Sequence, residues 1–200
     1  MALSGLVAEG LGRAADADEG IIRIWSLGTE GQVRSFSYPA EDVRRFDVDG
    51  WQVSLDAGLR SRITAMRHEC LPNETGGILL GVVDIPARKI HLADAAKAPA
   101  DSIGSPTGFV RGTDGVQQLI DRSMAETQGQ LRYVGEWHSH PPLVGVMPSV
   151  TDLSQINWLA TIFDMDTLPG LMLIAGEAEL AVVFMRHSEA SSPLAERSVR

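Results

Sequence analysis

The chain has 200 residues, 44% of them hydrophobic and 22% charged, so it is long enough to bury a core without disulfides. Its formal net charge of -9 argues against nucleic acid as the main partner, because phosphate binding depends on clustered Lys and Arg. The single cysteine, Cys70, excludes an intramolecular disulfide. With no evident secretory signal and no apolar stretch of transmembrane length, we expect a cytoplasmic protein without a membrane partner.

The first fifty residues, 1–50, are predicted to be an N-terminal extension of uncertain role. Residues 21–25 have the composition of a strand, and 33–36 follow a Gly-rich turn as its returning partner. Residues 39–46 are predicted to form a short helix, because a proline and acidic residues stand near its start.

Residues 51–186 are predicted to form one α/β domain, and residues 187–200 a mobile tail. The predicted strands are 51–54, 76–83, 89–94, 131–139, 171–174 and 180–185; the predicted helices are 55–70, 114–127 and 149–163. Residues 97–108 are predicted to be a surface loop, since Pro, Gly and Ser are frequent there. Several strand pairs have hairpin spacing, which indicates a mixed sheet flanked by helices rather than a purely parallel one.

The residues with the clearest chemistry lie in His138-Ser139-His140-Pro141 and in the segment from Ser149 to Asp152. Residues two apart on a strand face the same side, so both imidazoles can point at one metal ion. Two histidines and one carboxylate leave a fourth tetrahedral position open for water, the arrangement of a catalytic rather than a structural zinc. We therefore expect one zinc ion per chain, with Asp152 as the third ligand.

Neither half of this motif is conclusive by itself. A His-x-His pair alone is weak evidence of metal binding. Ser149-x-x-Asp152 before an apolar run matches a capping box, with Ser149 as the N-cap of a helix. The two interpretations are compatible, because a capped helix start is a rigid place for a ligand.

The combined pattern resembles the JAMM, or MPN-plus, family of zinc metalloproteases. The resemblance rests on His138-Ser139-His140-Pro141, on Ser149-x-x-Asp152, and on Glu74 just before the Gly-rich apolar strand 76–81. It covers about residues 51–185. The segment Gly-Glu-Trp-His-Ser-His-Pro resembles the bacterial branch of the family. Members of that branch accompany ubiquitin-like conjugation machinery, often in antiphage defence loci. One more residue separates His140 from Asp152 than is usual in the family.

The resemblance implies a three-layer JAMM/MPN-type domain with a mixed, curved sheet. It implies zinc ligands at His138, His140 and Asp152. A second zinc site, which some eukaryotic members have, is not expected, because it needs extra His and Cys ligands and this chain has one cysteine and no further His-x-His pair. It also implies a general acid/base at Glu74 and an oxyanion-stabilising hydroxyl at Ser149. The implied reaction is peptide or isopeptide hydrolysis after the C-terminus of a ubiquitin-like protein, by deconjugation or precursor processing. The implied partners are that protein, its conjugate or precursor, and E1-like and E2-like proteins.

Three alternatives stay open from the sequence. Glu136 has the same strand parity as the two histidines, so it competes with Glu74 for the acid/base role or orients a histidine. The whole domain could be a non-catalytic MPN-type scaffold, or a peptidase acting on a sulfur-carrier protein. The segment 98–113 is a candidate edge for docking an extended substrate tail by strand addition.

Overall fold

The computed structural model describes residues 21–27, 33–39 and 43–186, which divide between Asp42 and Val43 into two units. In the first unit, β1 (Ile21–Leu27) and β2 (Val33–Pro39) pair as an antiparallel hairpin, with Ile21 opposite Pro39. This confirms the predicted strand pair. The predicted turn before β2, the first twenty residues and the predicted tail 187–200 lie outside the described residues.

The second unit is a seven-stranded mixed sheet with helices packed on it. Its elements in chain order are β3 (Val43–Val48), β4 (Trp51–Asp56), α1 (Ala57–Cys70), β5 (Gly76–Asp84), β6 (Lys89–Ala95), β7 (Ile103–Ser105), β8 (Gly108–Val110), α2 (Val116–Glu126), β9 (Arg132–Ser139), α3 (Val150–Phe163), β10 (Gly170–Ala175) and β11 (Leu180–Met185). The sheet order is β11-β10-β9-β5-β6-β4-β3, while β7 and β8 form a separate hairpin. Strands β9 and β10, and likewise β4 and β6, run parallel, and the other neighbours run antiparallel. The predicted mixed α/β fold is confirmed.

The predicted helix over 39–46 is wrong, because the described part of that segment is extended. Strand β3 pairs with β4 through a two-residue turn, Asp49-Gly50, whose φ angles are 47° and 75°. Asp-Gly favours this left-handed turn, which matches the twist of a hairpin. Six residue pairs, from Val43 opposite Asp56 to Val48 opposite Trp51, then outweigh local helix propensity. The predicted loop 97–108 is also partly wrong, since it contains β7 and the first residue of β8.

Helix α1 packs its apolar stripe on the sheet, where it contacts β4, β6 and β10. Asp56 caps its start by accepting a hydrogen bond from the Leu59 amide at 2.6 Å. Leu59, Ile63 and Met66 recur at helical spacing and are buried. Burying such a side chain fully contributes about 1.5–3 kcal/mol. The amphipathic pattern therefore predicts the helix correctly to within two residues at its start.

Strand β9 carries the two motif histidines to its carboxyl end, where main-chain bonds fix both sides. The Ser139 amide donates to the Thr75 carbonyl at 2.7 Å, and the His140 amide donates to the Ala175 carbonyl at 2.9 Å. The backbone of Ser139 and His140 is therefore held between the segments that contain Thr75 and Ala175. None of the helices among the described residues is long and apolar enough to cross a membrane.

Candidate metal centre

Three buried side chains converge where β9 ends and α3 begins. His138 Nε2 lies 3.3 Å from His140 Nε2 and 3.2 Å from Asp152 Oδ1. His140 Nε2 lies 3.8 Å from Asp152 Oδ2. The exposed fractions of the three residues are 6%, 6% and 7%. The structure thus brings the three predicted ligands together in a site largely shielded from solvent.

Contacts and burial prepare the two imidazoles for a metal. His140 Nδ1 lies 2.6 Å from the Gly145 carbonyl, an acceptor only, so this contact favours the tautomer with its proton on Nδ1 and its lone pair on Nε2, towards the site. Burial lowers the pKa of His138 to about 4; the neighbouring His140 acts in the same direction, against the attraction of Asp152. Metal binding requires neutral histidine, so His138 needs no deprotonation near pH 7.

The donor set fits a zinc ion. Bonds of about 2.0–2.1 Å in a tetrahedron place two ligand atoms about 3.3 Å apart. Two of the three donor separations, 3.2 and 3.3 Å, match this value, and the carboxylate approaches His140 within 3.8 Å. Among the described residues, these three are a group of metal-ligating side chains whose ligand atoms all lie within 4.8 Å of one another. Imidazole nitrogens and one carboxylate oxygen are ligands that zinc prefers.

Asp152 caps a helix and faces the histidines at the same time. Its Oδ2 accepts a hydrogen bond from the Ser149 amide at 2.7 Å, and the Ser149 hydroxyl oxygen accepts one from the Asp152 amide at 3.2 Å. This is the predicted capping box. Its geometry leaves Oδ1 directed at His138. It also leaves the hydroxyl hydrogen of Ser149 free to donate, since capping uses only a lone pair.

Glu74 lies in the same groove as the three candidate ligands, just before β5. Its main chain is fixed, because the Glu74 amide donates to the Ser105 carbonyl at 2.9 Å. Burial raises the pKa of the Glu74 carboxyl, His140 opposes the shift, and the negative charge of Asp152 adds to it. A carboxyl group whose pKa moves towards neutrality is better suited to exchange protons near pH 7.

Glu136 is buried in a set of donors that the sequence did not indicate. Its Oε1 accepts hydrogen bonds from Arg111 Nε at 3.0 Å and from the Tyr133 hydroxyl at 3.0 Å, and it lies 2.8 Å from Arg111 Nη2. Its Oε2 accepts from the Gln155 amide nitrogen. Only the strand parity of Glu136 pointed towards this region. Two of the partners, Arg111 and Gln155, come from distant parts of the chain, and Tyr133 lies three residues away on β9, where regular strand parity would place it on the opposite face.

A groove of about 560 Å³ runs from the candidate ligands to the β7–β8 hairpin and the loop before α3. Its walls away from the ligands are mainly uncharged, and they include Ile103, Phe109, Val110, Val144 and Met147. Four of these five side chains are substantially exposed: Ile103, Val110, Val144 and Met147. The segment 98–113, which we expected to form a docking edge, supplies one wall through the hairpin.

The chain is similar to proteins already known. The family described as prokaryotic homologs of the JAB domain matches residues 56–188. A protein of Enterobacter hormaechei subsp. hoffmannii named CD-NTase/cGAS isopeptidase is 37% identical over 119 residues, which cover 58% of this chain. An Escherichia coli protein of the same name is 28% identical over 107 residues, or 54% of this chain.

Each of these alignments spans 64% of the relative's own length. Among solved structures, the solution structure of a Desulfitobacterium hafniense protein is 20% identical, with a TM-score of 0.46. That match covers 66% of this chain and 84% of the other.

Proposed function

Because the chain belongs to the prokaryotic homologs of the JAB domain, we propose that it is a zinc-dependent isopeptidase with its ion held by His138, His140 and Asp152. The observation that carries the proposal is the convergence of three ligand atoms beside a carboxyl group of raised pKa in one groove. Catalysis resides in residues 51–186 in this proposal, and strand β3 (Val43–Val48) of the predicted extension completes their sheet.

The substrate class comes from the relatives named CD-NTase/cGAS isopeptidase. The substrate in this proposal is a CD-NTase joined by an isopeptide bond to the C-terminus of a ubiquitin-like protein. The enzyme then works beside E1-like and E2-like proteins in a bacterial antiphage system, and it removes or processes the modifier in the cytoplasm.

Held by His138, His140 and Asp152, a zinc ion would supply the Lewis acidity that makes water nucleophilic near neutral pH. Glu74 takes the proton of the attacking water and passes it to the departing lysine amine, as the C–N bond breaks and a carboxylate forms. The raised pKa of Glu74 supports both steps. The Ser149 hydroxyl donates a hydrogen bond to the oxygen on which negative charge develops.

Glu136 takes no part in proton transfer in this proposal. Arg111, Tyr133 and Gln155 occupy its two carboxylate oxygens, so these hydrogen bonds would have to break before Glu136 could exchange a proton with substrate or water. Glu74 has no comparable set of donors among the contacts of the described residues, so its carboxyl group is available for the proton. This supports Glu74 over Glu136 as the acid/base.

The test uses the full chain, a CD-NTase conjugate made with the ubiquitin-like protein of the same genome, and a chelator control. Zinc content is measured on each purified variant. We expect Glu74→Gln to keep its zinc and to lose about 10²–10⁴-fold in turnover, the usual contribution of a general acid/base. Glu69→Gln is the matched control, because Glu69 is exposed and, among the described residues, pairs with the surface Lys97.

Full turnover by Glu74→Gln would refute the assignment of the acid/base. Wild-type protein without zinc that leaves the conjugate intact would instead support a non-catalytic scaffold. If the protein cleaved a sulfur-carrier protein and did not act on the conjugate, the proposed substrate class would be wrong and the proposed metal site would still stand.

A further inference from the structure

The Arg111–Glu136 ion pair joins the β7–β8 hairpin to the strand that carries the two histidines. Arg111 directly follows β8, and Glu136 lies two residues before His138 on β9. The side chains of Arg111 and Glu136 are only 17% and 4% exposed. A pair buried to this degree is screened little by water, so it fixes the relative position of its two segments more firmly than a surface pair.

The hairpin cannot hold its position by its own strands. Each strand has three residues, and an isolated two-stranded hairpin is marginal in water. Other contacts also reach the domain: the Ser105 carbonyl accepts from the Glu74 amide, and the Phe109 ring packs over Gly76. A Cβ at Gly76 would lie 2.7 Å from Phe109 Cε1, which shows how closely the ring approaches. These contacts act near β7 and the middle of β8, whereas Arg111 fixes its end.

An irregularity in β9 makes the buried network possible. Leu79 and Leu80 of β5 stand opposite Gly135 and Tyr133, so Val134 is an extra residue in β9. In a regular strand, residues 133 and 136 would point to opposite faces. The bulge reverses this relation, and the Tyr133 hydroxyl donates to Glu136 at 3.0 Å. Together with Arg111 after β8 and Gln155 from α3, side chains from three segments hold the Glu136 carboxylate.

We propose that Arg111 and Glu136 are positioning residues that hold the hairpin as a preformed wall of the substrate groove before substrate binds. The wall presents Ile103 and Val110, which are 69% and 65% exposed, beside the candidate metal centre. Its occupant is the extended, uncharged segment of the substrate that precedes the scissile bond. This inference rests on the proposed function for its substrate, although the preformed wall itself is a property of the free protein.

The first experiment measures amide hydrogen exchange in the substrate-free protein. We expect Arg111→Met to speed exchange by about tenfold or more in residues 103–110 and to leave β5 and β10 unchanged. Arg111→Lys should restore part of the protection, because it keeps the charge without the guanidinium fork. Arg122→Met makes the same change at an exposed position of α2 and is the control. If Arg111→Met does not fold, Glu136→Gln removes the charge while keeping the size of its partner.

The second experiment measures kinetics on the conjugate. A loosened wall must be ordered again by substrate, so KM should rise by about tenfold while kcat changes by less than about threefold. Unchanged exchange in 103–110, or faster exchange across the whole domain, would overturn the positioning role. A loss in kcat at constant KM would contradict the proposal that the hairpin forms a wall of the substrate groove. Exchange needs no substrate, so it decides the hairpin's role even if the wild-type protein fails to cleave the conjugate.

Discussion

Asp152 serves two purposes, and the substitution Asp152→Asn separates them. The carboxylate caps α3 through the Ser149 amide and faces His138 with its other oxygen. An asparagine has the same shape, and its carbonyl oxygen can still accept from the Ser149 amide. It has no negative charge, however, and an amide is a poor ligand for zinc. We therefore expect the helix cap to survive and the metal site to be lost.

The magnitudes follow from the geometry of the cap and from mass action. Ser149→Ala removes the side-chain acceptor of the cap, which costs about 1 kcal/mol, or roughly 2–4 °C in Tm for a domain of this size. Asp152→Asn keeps the cap and removes a buried charge, so the metal-free variant should melt at or slightly above the wild-type temperature. Zinc at one hundred times its Kd adds about 2.7 kcal/mol to any protein that binds it, roughly 5–10 °C.

The assay is thermal melting of the wild type, Ser149→Ala and Asp152→Asn, each with chelator and with zinc. Wild type and Ser149→Ala should gain the same increment with zinc, from different starting temperatures. Asp152→Asn should gain little. If Asp152→Asn gained the full increment, Asp152 would not be a ligand, whatever the activity data said.

Two further predictions concern the sheet and the base of the hairpin segment. A Cβ at Gly135 would lie 2.2 Å from the Leu171 carbonyl of β10, so Gly135→Ala should lower the free energy of unfolding in urea by about 1–3 kcal/mol. Gly108→Ala is the control and should lower it little, because a Cβ there meets nothing within 4 Å. Equal losses of stability in the two variants would contradict the close approach at Gly135. The amides of Thr113 and Asp114 donate to Asp101 and hold the pKa of its carboxyl below 3.8. A lowered folded pKa means that its contribution is present above 3.8 and is lost as the pH falls through the lower value. In an NMR titration, the two amide shifts should therefore move with a midpoint below 3.8; a midpoint at or above 3.8 would be inconsistent with these bonds.

The fold could be predicted where hydrophobic periodicity is strong and contacts are local. The apolar spacing of Leu59, Ile63 and Met66 predicted α1, and Ser149-x-x-Asp152 predicted the start of α3. The same reasoning failed at β3, where local propensity favoured a helix. The decisive signal was Asp49-Gly50, a turn sequence whose meaning depends on the strand that follows it.

The candidate site divides in the same way. The alternation of a strand brings His138 and His140 to one face, which short-range spacing predicts. The third ligand, Asp152, lies across a loop, and its prediction depended on the resemblance to the family's combined motif. The surroundings of Glu136 depend on Arg111, Gln155 and the extra residue Val134 in β9. Those contacts span 25 and 19 positions of the chain, and strand parity alone could not distinguish a bound carboxylate from a free one.

The loop between β9 and α3 joins the two elements that carry the candidate metal ligands. Strand β9 ends on main-chain bonds to its neighbours, and α3 starts at its own capping box, so both ends are fixed independently of the loop. Between them, Leu143 and Met147 project into solvent at 97% and 83% exposure. Evolution can therefore exchange the side chains of Leu143 and Met147 without disturbing the ligand geometry, provided that the Gly145 carbonyl keeps its place at His140 Nδ1. Selection for new substrates can act here while the chemistry is inherited intact.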